Sequence, residues 1–252
     1  MTDEINQQAL KLIEDLAALQ PIKTWSLLVT IFGDMSRVSN RKISGTFLKA
    51  MLEPVGVRPE AVRVALHRLR KDGWIITERD GRETSYGLSA SALEETQSAY
   101  HDVYRSGIKY PDGWIMMVLP PNITGPKVGL NVAKQCWLVP TEQSGGIKSA
   151  LTSQLESSDI PQWINDALVA PETLAIAEKL ILLIREIAKR ADQIQSGHIT
   201  IIRFLVLHHW RRMALREETW FHIWANQSGL LATCHKEVVT ALDALICETE
   251  AA

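Results

Sequence analysis

The 252-residue chain carries a net charge of −2 and is 46% hydrophobic, a composition that supports folded cores and excludes wholesale disorder. Three scattered cysteines, Cys136, Cys234 and Cys247, are too few for a disulfide scaffold and favour a reducing compartment. Residues 1–20 lack the basic start and apolar core of a signal peptide, and no apolar run approaches the ~20 residues of a membrane span. We therefore expect a cytoplasmic protein that has no membrane partner.

The charges are unevenly distributed along the chain. Between Pro21 and Leu88 there are twelve Lys/Arg and seven Asp/Glu residues, a net charge of +5, which leaves −7 for the remainder. Ordinary fluctuation of surface charge is one explanation. The alternative, a nucleic-acid-binding segment, is favoured because the basic residues cluster where a DNA-binding motif needs them.

The first twenty residues predict an amphipathic helix that Pro21 ends. Apolar side chains recur at spacings of three and four, at Ile5, Ala9, Leu12, Leu16 and Leu19. Such a helix can pair with its copy in a dimer or pack on its own body, and the pattern does not choose between the two.

Two further helices are predicted before residue 58. The apolar stretch Thr24–Met35 begins with an N-cap candidate, Thr24, and Ser44–Leu52 predicts a second helix capped by Ser44. The polar, basic residues 36–43 between them predict a loop.

Residues 58–88 predict a helix followed by a hairpin. Pro59 suits the first helical position and Gly73 suits the helix end. The β-branched and aromatic residues after Gly73 favour a strand, and Asp80-Gly81 is a strong hairpin signal. Apolar residues recur at helical spacing at Val62, Ala65, Leu66 and Leu69. Three helices followed directly by a hairpin indicate a winged helix-turn-helix.

The opposite side of the third helix is basic and is the main candidate DNA-binding surface. Arg63, His67 and Arg70 lie at i, i+4 and i+7, a line that a helix in the major groove presents to base edges and phosphates. The alternative is an ordinary solvent-exposed helix face, but the hairpin that follows the helix favours a DNA-binding surface. The other candidate contacts are Arg68 at the border of this face, Lys71 at its end, Arg79 and Arg82 at the hairpin tip, and Arg41 and Lys42 before the second helix.

Beyond the hairpin the sequence predicts a linker helix, a small α/β unit and a helical C-terminal third. Trp114–Leu119 and Cys136–Val139 have the length and composition of strands, and one short helix is expected between them, within Asn122–Gln135. Long helical patterns follow residue 171. The predicted division is 1–20 (N-terminal helix), 21–90 (winged helix), 91–112 (linker helix), 113–145 (α/β unit) and 146–252 (helical effector and dimerisation domain).

Neither metal nor catalytic chemistry is predicted. The five histidines of the C-terminal third lack the close-set spacing of a zinc site, and there is no G-x-S-x-G, P-loop or dinucleotide-binding glycine pattern. We expect no metal, no cofactor and no enzymatic activity.

A basic and aromatic cluster in the C-terminal third is a candidate ligand site. His208, Trp210, Arg211 and Arg212 place cations beside aromatic and apolar residues, and arginines there could bind a phosphate or carboxylate of a small molecule. Salt bridges at an interdomain or dimer interface are the alternative.

Two stretches of the chain resemble the PaaX-type repressors of phenylacetic acid degradation. GVRPEAVRVALHRLRKDGWIITERDGRETSYGL is similar to the family's N-terminal signature, and LVLHHWRRMALRE to its C-terminal one. The matching positions are Gly56, Val57, Val62, Arg63, Ala65, Arg68, Leu69, Gly73, Trp74, Gly81, Arg82, Tyr86 and Leu88, then His208, Trp210, Arg211, Arg212, Leu215 and Arg216.

The resemblance implies an α+β, mainly helical fold with a winged helix-turn-helix, a small ferredoxin-like middle unit and a helical C-terminal domain. It also implies a homodimeric transcriptional repressor that leaves its double-stranded DNA operator when it binds a CoA thioester, phenylacetyl-CoA or another acyl-CoA. Two alternatives stay open: an RNA-binding or nucleic-acid-processing protein, and a ligand-binding enzyme with a vestigial winged helix.

Overall fold

The computed structural model describes residues 2–36, 41–81, 83–105, 107–145, 149–156 and 159–245. The described chain is α+β and mainly helical, as predicted. The helices are α1 (Thr2–Ala18), α2 (Thr24–Met35), α3 (Gly45–Leu52), α4 (Pro59–Lys71), α5 (Ala90–Tyr104), α6 (Gln162–Leu168), α7 (Pro171–Ala188), α8 (Ser196–Ala214), α9 (Glu217–Ala225) and α10 (Leu230–Ala244). The strands are β1 (Ile43–Ser44), β2 (Ile75–Asp80), β3 (Glu83–Leu88), β4 (Trp114–Val118), β5 (Leu130–Ala133), β6 (Cys136–Pro140) and β7 (Leu151–Leu155). Within the described ranges, no helix is long and apolar enough to cross a membrane.

The chain divides into two compact units, each built from segments that are distant in sequence. Unit 1 comprises Met1–Ser106, Ala175–Leu215 and Thr233–Ala252. Unit 2 comprises Gly107–Leu174 and Arg216–Ala232. The five-part division derived from the sequence stays a prediction.

Within unit 1, α2, α3 and α4 precede a three-stranded antiparallel sheet in the order β1-β3-β2. Part of the predicted loop 36–43 is therefore wrong, because Ile43 pairs with Tyr86 and begins β1. Ser44 is the predicted N-cap of α3, and its Oγ accepts a hydrogen bond from the Phe47 backbone N–H at 3.1 Å. Thr24 starts α2 but does not cap it, since Lys23 holds the N-cap position without a side-chain hydrogen bond.

The core of unit 1 is organised around α8, which contacts α1, α2, α3 and α5. Every residue from Thr200 to Trp210 is buried. Most of these buried side chains are apolar, and the buried polar ones include Arg203 and His209, which donate hydrogen bonds to Asp34 and to the Leu16 carbonyl. The apolar face of α1, including Ile13 and Leu16, is buried in this unit. The N-terminal helix therefore packs on its own body.

Unit 2 contains a four-stranded antiparallel sheet in the order β5-β6-β4-β7. Trp114, Leu138 and Phe221 form its core with Ile160 and Ile164. Beside the two strands that were predicted, β4 and β6, the structure adds β5 and β7.

The helix predicted between the strands of unit 2 is wrong. The described residues of Asn122–Gln135 form turns and β5, which pairs with β6 across a tight turn where Gln135 adopts a φ of 59°. A β-α-β-β-α-β unit has a helix between its first two strands. The described residues between β4 and β5 hold no such helix, whereas the antiparallel pairing of β4 with β6 and the strand order β5-β6-β4-β7 agree with that unit, so the ferredoxin-like arrangement expected from the resemblance stays a prediction.

Candidate nucleic-acid interface

Helix α4 buries one face and exposes the opposite, basic face. Val62, Ala65, Leu66 and Leu69 are its buried residues. Arg63, His67 and Arg70 are exposed, and their spacing of four and three residues aligns them along the solvent side of the helix. This amphipathic arrangement anchors the helix by its apolar stripe and leaves the cations available for a ligand.

The end of α4 sets the direction of the hairpin that follows. Gly73 has a φ of +75°, which favours glycine, and its N–H donates to the Arg70 carbonyl at 3.1 Å. The Trp74 N–H donates to the Leu69 carbonyl at 2.8 Å. These two bonds form a Schellman motif, which ends the helix within one residue and leads directly into β2.

The register of the hairpin turns one of its faces toward α4. Ile75, paired with Leu88, is buried at the base of the hairpin. Because side chains alternate along a strand, Thr77 and Arg79 follow Ile75 on that same face. Their cross-strand partners are Tyr86 and Thr84.

Helix and hairpin together enclose a groove of about 630 Å³ that we call the basic groove. Four of its lining residues, Arg63, His67, Arg70 and Arg79, are basic or imidazole side chains. No carboxylate lines it within the described part of the chain. Its remaining lining residues are Leu66, Thr77, Thr84 and Tyr86. Thr77, Thr84 and Tyr86 were missed from the sequence, because only the hairpin register places them beside α4.

The structure does not bring the other predicted DNA contacts into the basic groove. Arg68 lies 3.6 Å from Asp72 and lines a different, apolar cavity. Lys42 forms an ion pair with Glu78 on β2. Lys71 is exposed at the end of α4, and Arg41 is partly buried. Arg82 lies outside the described residues.

The C-terminal cluster serves mainly to hold unit 1 together. His208 is fully buried, and its Nδ1 lies 3.1 Å from Thr30 Oγ1. Trp210 is also buried and donates from Nε1 to the Val103 carbonyl at 2.9 Å. Arg212 donates to the Pro21 carbonyl at 3.3 Å. Direct ligand contact by His208 and Trp210, as expected from the sequence, is not supported, because α8 inserts both into the core.

The two adjacent histidines of α8 are held neutral by their surroundings. Burial, followed by the charges of His209, Arg211 and Arg212, lowers the pKa of His208 to about 3. Burial also lowers the pKa of His209 to about 4, against the opposing effect of its hydrogen bond to Leu16. His209 Nε2 donates to that carbonyl at 2.8 Å.

Arg211 is the member of the cluster that lines a cavity. Its Nε donates to Thr30 Oγ1 at 3.1 Å, and its Nη2 donates to the carbonyl and hydroxyl oxygens of Ser26. The same side chain lines the apolar cavity that Arg68 lines.

Residues 24–88 thus have the helices, strand pairing and terminal hairpin expected of a winged helix-turn-helix. In the described ranges, no three His, Cys, Asp or Glu side chains lie close enough together to hold a metal ion. Residues 23–92 match the family described as "PaaX-like protein". The chain is also similar to the Transcriptional repressor PaaX of Escherichia coli (strain K12), at 27% identity over 183 residues, or 71% of this chain. The match covers 56% of that protein, so this chain spans about half the length of its curated relative. The PaaX-type resemblance recognised in the sequence is confirmed.

Proposed function

We propose that this protein is a DNA-binding transcriptional regulator. The observation that carries the proposal is the basic groove, in which Arg63, His67 and Arg70 of α4 face Arg79 of β2 and no carboxylate among the described residues lines the groove. An α-helix fits the major groove of B-DNA, and arginine there can bind guanine with two hydrogen bonds. In this arrangement α4 contacts bases while the hairpin contacts the adjacent backbone.

Repression is the form of regulation that the comparison favours, because the similar Escherichia coli protein is a transcriptional repressor. By the PaaX-type resemblance, the regulated genes belong to an aromatic-acid, phenylacetate-type catabolic operon. A CoA thioester, phenylacetyl-CoA or another acyl-CoA, is the proposed effector. Its binding favours a conformation with lower operator affinity, which is a shift in the population of states.

The protein is proposed to bind its operator as a homodimer. A two-fold dimer presents two α4 helices to successive major grooves, roughly 34 Å apart. The operator then has two inverted half-sites whose spacing reflects the symmetry of the protein. Light scattering with and without operator DNA measures this stoichiometry.

Selection from a random 40-base-pair duplex pool by the full-length protein tests DNA recognition. We expect enrichment of one inverted-repeat sequence. Arg63→Ala and Arg70→Ala each lower affinity for it by about 5- to 150-fold, the cost of one base or phosphate contact at ~1–3 kcal/mol. Arg68→Ala is the matched control, since Arg68 lies on the same helix outside the basic groove. Equal affinity for all three variants and the parent would contradict the proposal.

Double-stranded RNA of the enriched sequence distinguishes the RNA-binding alternative. The major groove of A-form RNA is too deep and narrow for a helix such as α4. We therefore expect the RNA duplex to compete at least 100-fold less effectively than the DNA duplex. Equal competition would favour the RNA-binding protein instead.

A further inference from the structure

Val64 is an apolar side chain on the exposed side of α4, between the cationic and imidazole groups of that side. It is 69% exposed, and its neighbours Arg63 and His67 are exposed as well. At ~100° per residue, the direction opposite the four buried residues of the helix falls between Val64 and His67, about 30° from each. Val64 therefore points away from the core more directly than Arg63 does.

The hairpin does not cover Val64. The residues that α4 contributes to the basic groove are Arg63, Leu66, His67 and Arg70. Val64 is not one of them, because it lies on the side of His67 that faces away from the hairpin. A valine packed against β2 or β3 would be largely buried, so packing on the hairpin does not explain why this position is apolar.

The stability of α4 does not favour a valine at this position either. A β-branched side chain loses rotamer freedom in a helix, so valine forms helices less readily than alanine, lysine or glutamate. At 69% exposure, Val64 gains little from burial to offset this cost. Single exposed apolar side chains are common on protein surfaces, so exposure alone assigns no role.

The location of Val64 within α4 is what indicates a role. Val64 is the sixth of the 13 residues of this helix and lies in its N-terminal half. In helix-turn-helix proteins, the N-terminal residues of the recognition helix contact the edges of bases in the major groove. Under the proposed function, Val64 lies in the middle of the face that α4 presents to DNA.

The chemistry of valine restricts which base it can contact favourably. Its isopropyl group neither donates nor accepts a hydrogen bond. The major-groove pattern of the base pairs consists of hydrogen-bond donors and acceptors and one apolar group, the C5-methyl of thymine. A valine placed against a donor or acceptor would remove that group from water without giving it a partner, which costs free energy.

We propose that Val64 selects thymine at one position of each operator half-site by packing its isopropyl group on the C5-methyl of that base. Arg63 and His67, on the hairpin side, supply the polar contacts, and Val64 supplies an apolar one. Burial of one methyl-sized group corresponds to about a fourfold change in affinity. This inference rests on the proposed DNA-binding function and names one determinant of its sequence specificity.

Replacement of thymine by uracil tests the proposed contact. Uracil pairs with adenine as thymine does and lacks only the C5-methyl. In the duplex selected by the full-length protein, each thymine is replaced singly, and fluorescence anisotropy measures the affinity. At one thymine of each half-site we expect uracil to lower the affinity of the parent about fourfold. We expect Val64→Ala to bind the thymine duplex less tightly and to bind both forms of that position equally well, because the partner of the methyl is gone.

An exposed residue of similar shape supplies the control. Ile76 is also β-branched and is 50% exposed. It precedes Thr77 on β2, so its side chain lies on the face of the hairpin away from the basic groove. Ile76→Ala is expected to keep the thymine-to-uracil ratio of the parent. Thermal unfolding verifies that Val64→Ala is folded, as expected for a change to a better helix former at an exposed site.

The dependence of affinity on salt and a second selection complete the test. Val64 carries no charge, so Val64→Ala is expected to leave the slope of log K against log salt concentration unchanged, whereas loss of one phosphate contact would alter it by roughly 0.9. Selection from the random duplex pool by Val64→Ala should relax the preference for thymine at that one position.

The outcomes separate this inference from the proposed function. A selected sequence without thymine, a parent whose affinity no uracil replacement changes, or a full thymine-to-uracil ratio in Val64→Ala overturns the role of Val64. In each of these cases sequence-specific DNA binding remains, and the proposed function stands. Failure of the parent to enrich any sequence overturns the proposed function, and this inference with it.

Discussion

Arg203 of α8 and Asp34 of α2 form a buried, bidentate ion pair in the core of unit 1. Nε of Arg203 lies 2.7 Å from Oδ2 and Nη2 lies 2.8 Å from Oδ1, and the two side chains are 1% and 3% exposed. Tyr104 donates to the same carboxylate at 2.8 Å, and Arg203 Nη1 donates to the carbonyls of Leu242 and Leu245. The Arg203 guanidinium thus connects α8 both to α2 and to the end of α10.

Removing either charge from this pair is expected to destabilise the protein strongly. Arg203→Met leaves the Asp34 carboxylate buried without a counter-charge, at a cost of about 3–5 kcal/mol. Asp34→Leu combined with Arg203→Met removes both charges and costs less than the sum of the single changes, because no isolated charge remains. Urea unfolding followed by tryptophan fluorescence measures both free energies of unfolding.

A surface ion pair supplies the comparison for this experiment. Arg185 and Glu237 approach to 2.8 Å but are 53% and 28% exposed. Arg185→Gln is therefore expected to cost less than about 1 kcal/mol. A cost for Arg203→Met no larger than that of Arg185→Gln would show that the buried pair does not hold unit 1 together.

The buried histidines predict a loss of stability in mild acid. A free histidine titrates near pH 6.5, whereas His208 and His209 in the folded protein have pKa values of about 3 and about 4. Below pH 6.5 the unfolded chain takes up protons that the folded protein cannot, so unfolding becomes easier. The stability contributed by the neutral imidazoles is complete above pH 6.5 and declines as the pH falls toward 4 and then 3.

His209→Gln isolates one of these two contributions. When the pH is lowered from 7.5 to 5.0, the free energy of unfolding should decrease less in this variant than in the parent, and the difference between the two decreases should be up to about 2 kcal/mol. The reason is that each shifted group contributes at most ~1.4 kcal/mol per pH unit below 6.5. The urea midpoints of both proteins at the two pH values give this difference. Parallel pH dependence in the two proteins would contradict the burial of a neutral His209.

The sequence predicted best where structure is local. Pro59, the apolar spacing and Gly73 define α4 within a single stretch, and Ser44 caps the neighbouring helix as expected. The strands β1, β5 and β7 were missed, because they have two to five residues and are defined by partners elsewhere in the chain. The burial of His208 and Trp210 could not be predicted from the sequence either, because it depends on how α8 packs against the other helices of unit 1.

The glycine at the end of α4 is expected to be important for both stability and DNA binding. Gly73→Ala forces a Cβ atom into the left-handed region and costs about 1–2 kcal/mol. Gly73→Asn costs less, since asparagine tolerates this conformation better. Thermal unfolding and DNA titration of the two variants measure the effect. If alanine is tolerated at no cost, the Schellman ending is not needed for the hairpin.

One substitution is expected to increase DNA affinity rather than reduce it. Glu78 lies on β2 between Thr77 and Arg79 of the basic groove, and it forms an ion pair with Lys42. Glu78→Gln removes a negative charge beside the groove and frees Lys42 for a phosphate. Each added phosphate contact steepens the dependence of log K on log salt concentration by roughly 0.9 for duplex DNA.

The salt dependence distinguishes this effect from a general change in charge. Glu94→Gln removes a carboxylate from the exposed side of α5, away from the basic groove, and is the matched control. We expect tighter binding and a steeper salt dependence for Glu78→Gln, and no change in slope for Glu94→Gln. Lys42→Ala in the Glu78→Gln background should return the slope to its original value, because the added contact comes from Lys42. If the slope of log K against log salt concentration does not change in Glu78→Gln, the DNA backbone does not contact β2.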